Sequence, residues 1–199
     1  EHAANLFGLK EFGNIYSRLG NPTVGALEAR LTALEEGAMC VALSSGTSAV
    51  MYSLINIMSQ GDNFVTANQL YGGTYTMFDN ILPEYGIDSK KVDITDLAAV
   101  ENAIDDKTRA IYCETITNPG LVVADISALS EIAHSKGIPL IVDATFTTSA
   151  ILKPFEYGAD IVVYSLTKWM SGHGRVIAGA VIEKGGFDWG NGNFPLYDK

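Results

Sequence analysis

Asp160-Ile161-Val162-Val163-Tyr164-Ser165-Leu166-Thr167-Lys168 is an apolar, β-branched run that delivers two hydroxyls and a lysine in quick succession. The run has the length and composition of a buried strand. A lysine placed where such a strand ends is expected to be desolvated. Desolvation disfavours the ammonium form and leaves a nucleophilic amine able to form a Schiff base with a carbonyl. Upstream, Ile138-Pro139-Leu140-Ile141-Val142-Asp143 is a second apolar run, and it ends in a carboxylate.

Working outward, short apolar strands alternate with helical patterns. Val24 to Glu36 carries Leu27, Leu31 and Leu34 at helical spacing and is closed by Gly37. Met39 to Leu43 reads as a strand, and Ser44-Ser45-Gly46-Thr47 opens a helix running to about Met58. Strands are predicted at 63–67, 109–113, 138–142, 160–164 and 176–182, with helices at 73–82, 96–104 and 126–135. Alternation of this kind predicts an α/β fold, a mostly parallel sheet flanked by helices on both faces. Ligands in such sheets gather beyond the carboxyl ends of the strands, where Asp143, Ser165 and Lys168 are placed by their sequence positions.

Composition narrows the function. The chain has 199 residues, 47% hydrophobic and 18% charged, enough to bury a core in one domain or one large lobe. A net charge of -10 without a dense basic cluster argues against nucleic acid or an anionic membrane as partner. Cys40 and Cys113 sit inside apolar runs and read as buried free thiols suited to a reducing cytoplasm. No apolar run approaches the length of a membrane span, and no signal peptide opens the chain. Residues 1–15 begin without an obvious strand or helix cap, so the natural start is expected further upstream. His2, His134 and His173 lack metal-ligand spacing, so no metal site is expected; His134 is placed on a helix face and His173 in a loop.

Several stretches have phosphate- or ring-binding character. Ser45-Gly46-Thr47 lies at a strand-to-helix junction, where free N–H groups can cradle a phosphate; a plain helix cap is the commoner use of such a sequence. Ser165 and Thr167 add hydroxyl donors beside Lys168. Leu70-Tyr71-Gly72-Gly73 permits a tight turn, leaving the Tyr71 ring free to stack on a flat ligand or simply to pack. Arg18, in Tyr16-Ser17-Arg18-Leu19-Gly20-Asn21-Pro22-Thr23, suits an anion through its planar fork of donors. Asp143 could cap the following turn, but beside Lys168 it suggests more. An amine for an aldehyde and an acid for a pyridinium nitrogen are what pyridoxal phosphate requires of a protein. The other lysines, Lys10, Lys90, Lys91, Lys107, Lys136, Lys153, Lys184 and Lys199, lie in polar or loop surroundings and read as solvated.

Taken together, YSRLGNPT (16–23), SSGTSA (44–49), LYGGTY (70–75), ETITNPG (114–120), VDATF (142–146) and SLTKWMSGHG (165–174) resemble the Cys/Met-metabolism family of pyridoxal phosphate enzymes. The family has an aspartate-aminotransferase-like fold, fold type I, and the motifs occur in its order along nearly the whole chain. FGLKEFGNIYSR near the start and GGFDWGNGNFP (185–195) look most like its O-acetylhomoserine sulfhydrylases.

The resemblance implies that Lys168 holds the cofactor covalently, that Asp143 pairs with its pyridine nitrogen, and that Tyr71 stacks on the ring. It implies phosphate contacts from Ser45, Gly46, Thr47, Ser165 and Thr167, and places Asn118 near the phenolic oxygen. Residues 1–23 would form an arm carrying Tyr16 and Arg18 to a neighbouring subunit's phosphate, in a homodimer or homotetramer. Residues 24–199 would be the cofactor-binding large domain. The implied activity is a transferase reaction of methionine biosynthesis on a small amino-acid substrate: O-acetylhomoserine and sulfide give homocysteine and acetate. Lys168 would serve as base and Tyr71 would assist. Cystathionine γ-synthase and methionine or cystathionine γ-lyase activities share the same cofactor residues, and a non-catalytic cofactor-binding fragment is the alternative of another class. Three positions depart from the family pattern: Ala144 where asparagine is usual, Thr47 for a longer residue, and Arg175 where a small or hydroxyl residue is common. The resemblance also implies a C-terminal domain carrying the arginine that binds the substrate carboxylate, expected to lie outside these 199 residues, which match about half a family subunit.

Overall fold

The computed structural model describes residues 1–197. Seven strands form one sheet: β1 (Met39–Leu43), β2 (Asn63–Ala67), β3 (Asp88–Val92), β4 (Thr108–Glu114), β5 (Leu140–Asp143), β6 (Ile161–Ser165) and β7 (Gly179–Glu183). Their order is β1-β7-β6-β5-β4-β2-β3. β2 to β6 pair in parallel, and only β7 runs against its neighbours. The expected α/β architecture is therefore present.

Helices α1 (His2–Phe7), α2 (Pro22–Glu35), α3 (Gly46–Ile55), α4 (Gly72–Thr76), α5 (Leu97–Ala103), α6 (Ile126–Ser135) and α7 (Thr148–Ile151) connect the strands. α2 starts where its chemistry dictates: Pro22 supplies a ready φ, and the Asn21 side chain accepts the Thr23 and Val24 N–H groups at 2.9 and 3.2 Å. It ends on Glu36, not Gly37, in the left-handed conformation at φ 59°.

The expected inward stripe of α2 is corrected. Leu27 and Leu34 are exposed, whereas Leu31 and Glu35 are buried. Glu28, on the same inward side, accepts the Ala42 N–H of edge strand β1 at 2.9 Å, satisfying a donor on an edge that would otherwise be open. A polar inward face was hidden from a count of apolar spacing.

Two further elements differ from expectation. The predicted helix at 73–82 is α4 followed by a wide π turn (Met77–Ile81) and a 3₁₀ turn (Leu82–Tyr85), whose second residue, Pro83, has no N–H for the helical ladder. β3 was not predicted, because its DSKKV sequence lacks the alternation of a half-buried strand. Its charges suit an edge: Lys90 pairs with Asp105 at 2.6 Å and Lys91 pairs with Asp79. With Lys136 on Glu101, Lys153 on Glu36 and Lys184 Nζ donating to the Phe155 carbonyl, these lysines are partnered and not simply solvated. Lys199 lies outside the described residues.

The central strands are buried, and Phe64, Phe78 and Tyr112 meet edge to face with centroids 4.7 and 5.2 Å apart. Cys40 and Cys113 are buried free thiols, and burial pushes both up to about 12. His134 lies on α6, where its Nε2 is 2.8 Å from Asp160 Oδ2 and ties that helix to the start of β6. Near the C-terminus Phe187, Trp189 and Phe194 cluster, while Asn191 and Asn193 donate to the Gly137 carbonyl at 2.9 and 3.0 Å. No helix among the described residues is long and apolar enough to cross a membrane.

Candidate active site

The parallel strands end on one side of the sheet, and their connecting loops enclose a cavity of about 570 Å³ there. Asp143 reaches it from the end of β5, Glu114 from β4 and Ser165 from β6; Tyr71 precedes α4, and Gly46 opens α3. Ser45, Thr47, Asn118, Thr167 and Lys168 also line it. Nine of the eleven residues singled out in the sequence to carry a site thus share one space. Tyr16 and Arg18 do not. Both are exposed, with the Arg18 guanidinium 5.0 Å over the Tyr16 ring.

The start of α3 is built by close approach. Ser45 Oγ accepts the Ser48 N–H at 3.0 Å, so its side chain is a helix cap. The N–H groups of Gly46 and Thr47, in the first turn, have no intrahelical acceptor and open an anion-binding position. A Cβ on Gly46 would lie 2.5 Å from that of Ser165. From beneath, a Cβ on Gly179 would lie 2.0 Å from the Ser45 carbonyl oxygen. Two glycines therefore let the helix terminus sit directly on the ends of β6 and β7. Ser165 is held by its own N–H, which donates to Thr145 Oγ1 at 2.8 Å.

Asp143 faces the cavity from an otherwise enclosed position. Its Oδ1 accepts the Thr145 N–H at 2.9 Å and its Oδ2 accepts the Tyr112 hydroxyl at 3.3 Å. Burial raises its carboxyl above the usual range, and these hydrogen bonds oppose the rise. The neighbouring Glu114, its register partner across β4 and β5, is buried, and desolvation lifts it to about 7.

Two sequence-derived details change. The Thr167 hydroxyl is already engaged: it donates to the Ala178 carbonyl at 3.2 Å and accepts the Ala178 N–H at 3.0 Å, extending the pairing toward β7. A hydroxyl has one proton to give, so this side chain is a brace more than a free phosphate donor. Lys168 is exposed, not desolvated. β6 stops at Ser165, and the next residues coil into a turn in which the Lys168 N–H reaches the Ser165 carbonyl at 3.1 Å. That turn lifts the side chain from the sheet into the cavity mouth.

Of the departures, Ala144 is fully buried and does not line the cavity, Thr47 does line it, and Arg175 is exposed. Sequence reasoning missed Glu114, Tyr112, Thr145 and Gly179. Glu114 was findable, since it ends an apolar run just as Asp143 does. Gly179 carried no local signal, because its constraint comes from a segment more than a hundred residues away.

Residues 1–196 match the family model described as Cys/Met metabolism PLP-dependent enzyme. O-acetyl-L-homoserine sulfhydrylase of Leptospira meyeri is 48% identical over 99% of this chain and 45% of its own length. Homocysteine synthase of Schizosaccharomyces pombe is 46% identical over 100% of this chain and 47% of its own. An assigned O-acetylhomoserine (thiol)-lyase structure from Campylobacter jejuni, which contains N'-pyridoxyl-lysine-5'-monophosphate, superposes with TM-score 0.92 at 42% identity, covering 96% of this chain and 48% of that one. The chain spans about half the length of the curated relatives it matches.

Proposed function

This chain belongs to the Cys/Met metabolism family of pyridoxal phosphate-dependent enzymes, and we propose from that premise that its cavity binds the cofactor and serves a γ-replacement. O-acetylhomoserine and sulfide would give homocysteine and acetate, a reaction suggested by the names of its relatives. The main support is one observation. A primary amine, a half-buried carboxylate, an aromatic ring and an open helix N-terminus converge on one cavity. These groups fit an aldehyde, a ring nitrogen, a flat ring and a phosphate in turn.

Pyridoxal phosphate, when bound, supplies an aldehyde that takes up amines and a protonated ring that accepts an electron pair from the adjoining carbon. The Gly46 and Thr47 N–H groups and the Ser165 hydroxyl would hold its phosphate. Asp143 would pair with the ring nitrogen, its carboxylate form supported by Thr145 and Tyr112. Tyr71 would stack on the ring, and Asn118 would approach the phenolic oxygen. Lys168 Nζ would attach the cofactor covalently and, in its free form, take the proton from the substrate α-carbon. The Tyr71 hydroxyl would assist proton transfer at the same face. In this reading residues 1–23 are an arm that brings Tyr16 and Arg18 to a neighbouring subunit, so the working form is a homodimer or homotetramer. Two buried free cysteines fit a reducing cytoplasm.

Borohydride reduction followed by intact-mass measurement tests the anchor. Wild-type protein should gain one pyridoxyl phosphate, and Lys168→Ala should gain none; an equal gain in the variant would refute the assignment. For the reaction, O-acetylhomoserine with sulfide, O-succinylhomoserine with cysteine, and methionine alone are offered separately. Product in the first mixture alone supports sulfhydrylation, whereas turnover of the second or third instead would replace it with the synthase or lyase activity.

A further inference from the structure

Glu114 is a buried carboxylate in the cavity that the proposed chemistry leaves without a role. It sits at the end of a rigid central strand, where a charged group is tolerated only with good partners. Both partners are backbone donors. The Tyr71 N–H donates to Oε1 at 2.7 Å, and the Asn118 N–H donates to Oε2 at 2.9 Å. These N–H groups belong to different loops on the rim, one leading from β2 into α4 and the other following β4. Each loop brings a polar side chain to the cavity, Tyr71 from one and Asn118 from the other, and each is fixed to a separate oxygen of one carboxylate.

We propose that Glu114 is the positioning residue of this site, a two-oxygen clamp that sets Tyr71 and Asn118 relative to each other above Asp143. What those side chains then touch rests on the function proposed above; the clamp itself does not.

The carboxylate that closes the clamp is also poised to titrate. Burial raises it to about 7, Asp143 adds to the rise, and the two N–H bonds oppose it. The titratable groups around it are Tyr112 and Cys113 on its own strand, Asp143 on β5, and Tyr71 and Lys168 sharing the cavity. Protonation turns one acceptor oxygen into a donor, so the clamp would loosen on the acid side of neutrality.

Amide exchange and chemical shifts, followed residue by residue by NMR, read this directly. They are measured on purified protein with pyridoxal phosphate added and after its removal. In wild type the Tyr71 and Asn118 amides should be protected and should shift together with an apparent pKa near that of Glu114, about 7. In Glu114→Ala both should exchange at least roughly 10-fold faster, matching loss of a charge-assisted hydrogen bond. The near-isosteric Glu114→Gln retains one acceptor oxygen, so one of the two amides should stay protected and the shared titration should vanish. The Thr115 N–H, bonded to the Asp143 carbonyl at 3.0 Å, is the internal reference and should be unchanged in Glu114→Gln. Unaltered Tyr71 and Asn118 exchange in both variants, or slowing lost equally at Thr115 in Glu114→Gln, would overturn the clamp. Failure of the wild type to take up pyridoxal phosphate would count against the proposed function alone, because the amide readings in free protein stand without it.

Discussion

Replacing Gly179 by alanine puts a methyl group where the backbone of another segment already lies. The added Cβ would be 2.0 Å from the Ser45 carbonyl oxygen, 2.5 Å from its carbonyl carbon and 2.9 Å from the Gly46 nitrogen. All three are backbone atoms, so no rotamer change relieves the contact. Ordinary Cβ contact begins at 3.4 Å, and the start of α3 must therefore part from β7 by about 1.4 Å. Overpacking of this kind costs about 1–3 kcal/mol. For a domain of this size each kcal/mol lowers Tm by about 2–4 °C, so a fall of roughly 2–12 °C is expected. The same movement carries the Gly46 and Thr47 N–H groups away from the phosphate position. Loss of one hydrogen bond to a charged group, about 1.5–3 kcal/mol, weakens pyridoxal phosphate binding roughly 10- to 150-fold. The assay is thermal unfolding together with cofactor titration followed by absorbance. Gly25→Ala is the control, since a Cβ there meets nothing within 4 Å, and relief of a helical glycine should leave stability equal or higher. If Gly179→Ala melts within 1 °C of wild type and binds cofactor within about twofold, close approach of α3 to the sheet is not what builds the anion position.

Two further outcomes follow from buried acids. Glu114 is raised from 4.5 to about 7, so the folded chain keeps its proton as pH climbs through that window and stability falls, by at most about 3 kcal/mol. Asp143 and Glu35 are raised as well, which makes the wild-type slope steeper. The difference in urea-unfolding free energy between wild type and Glu114→Gln should therefore change between pH 4.5 and 7 and flatten above it; a difference independent of pH would refute the shift. Behind β6, the Tyr164 hydroxyl donates to buried Glu35, whose Oε2 has no hydrogen-bond partner among the described residues. Tyr164→Phe should cost about 1–3 kcal/mol in the same assay, and adding Glu35→Leu should recover much of it; no recovery would argue against an uncompensated carboxylate as the cause.

Much of the fold was legible because strands and helices announce themselves locally. IVVYS and LIVD are apolar runs too short for helices, and each ends where a ligand-facing residue begins. β3 was not legible, because an edge strand bearing lysines has neither alternation nor apolar content. The inward face of α2 was misread for a related reason. Its inward Glu28 and Glu35 make partners of a strand N–H and a tyrosine hydroxyl that no window of sequence contains.

Residue order alone carries the chemistry offered: an amine after β6, an acid at the end of β5, a glycine-opened helix and a tyrosine turn. These follow from residue type and local spacing, which the chain carries wherever it folds. How these groups are presented is set by packing between distant segments. That packing spent the Thr167 proton on Ala178, raised Lys168 into the cavity mouth, and made Gly179 a spacer beneath Ser45. It also turned Glu114 from the end of a strand into the common partner of two loops. Hydrogen bonds and contact distances between remote segments depend on where the sheet brings those segments together, and that placement is a property of the packed chain as a whole.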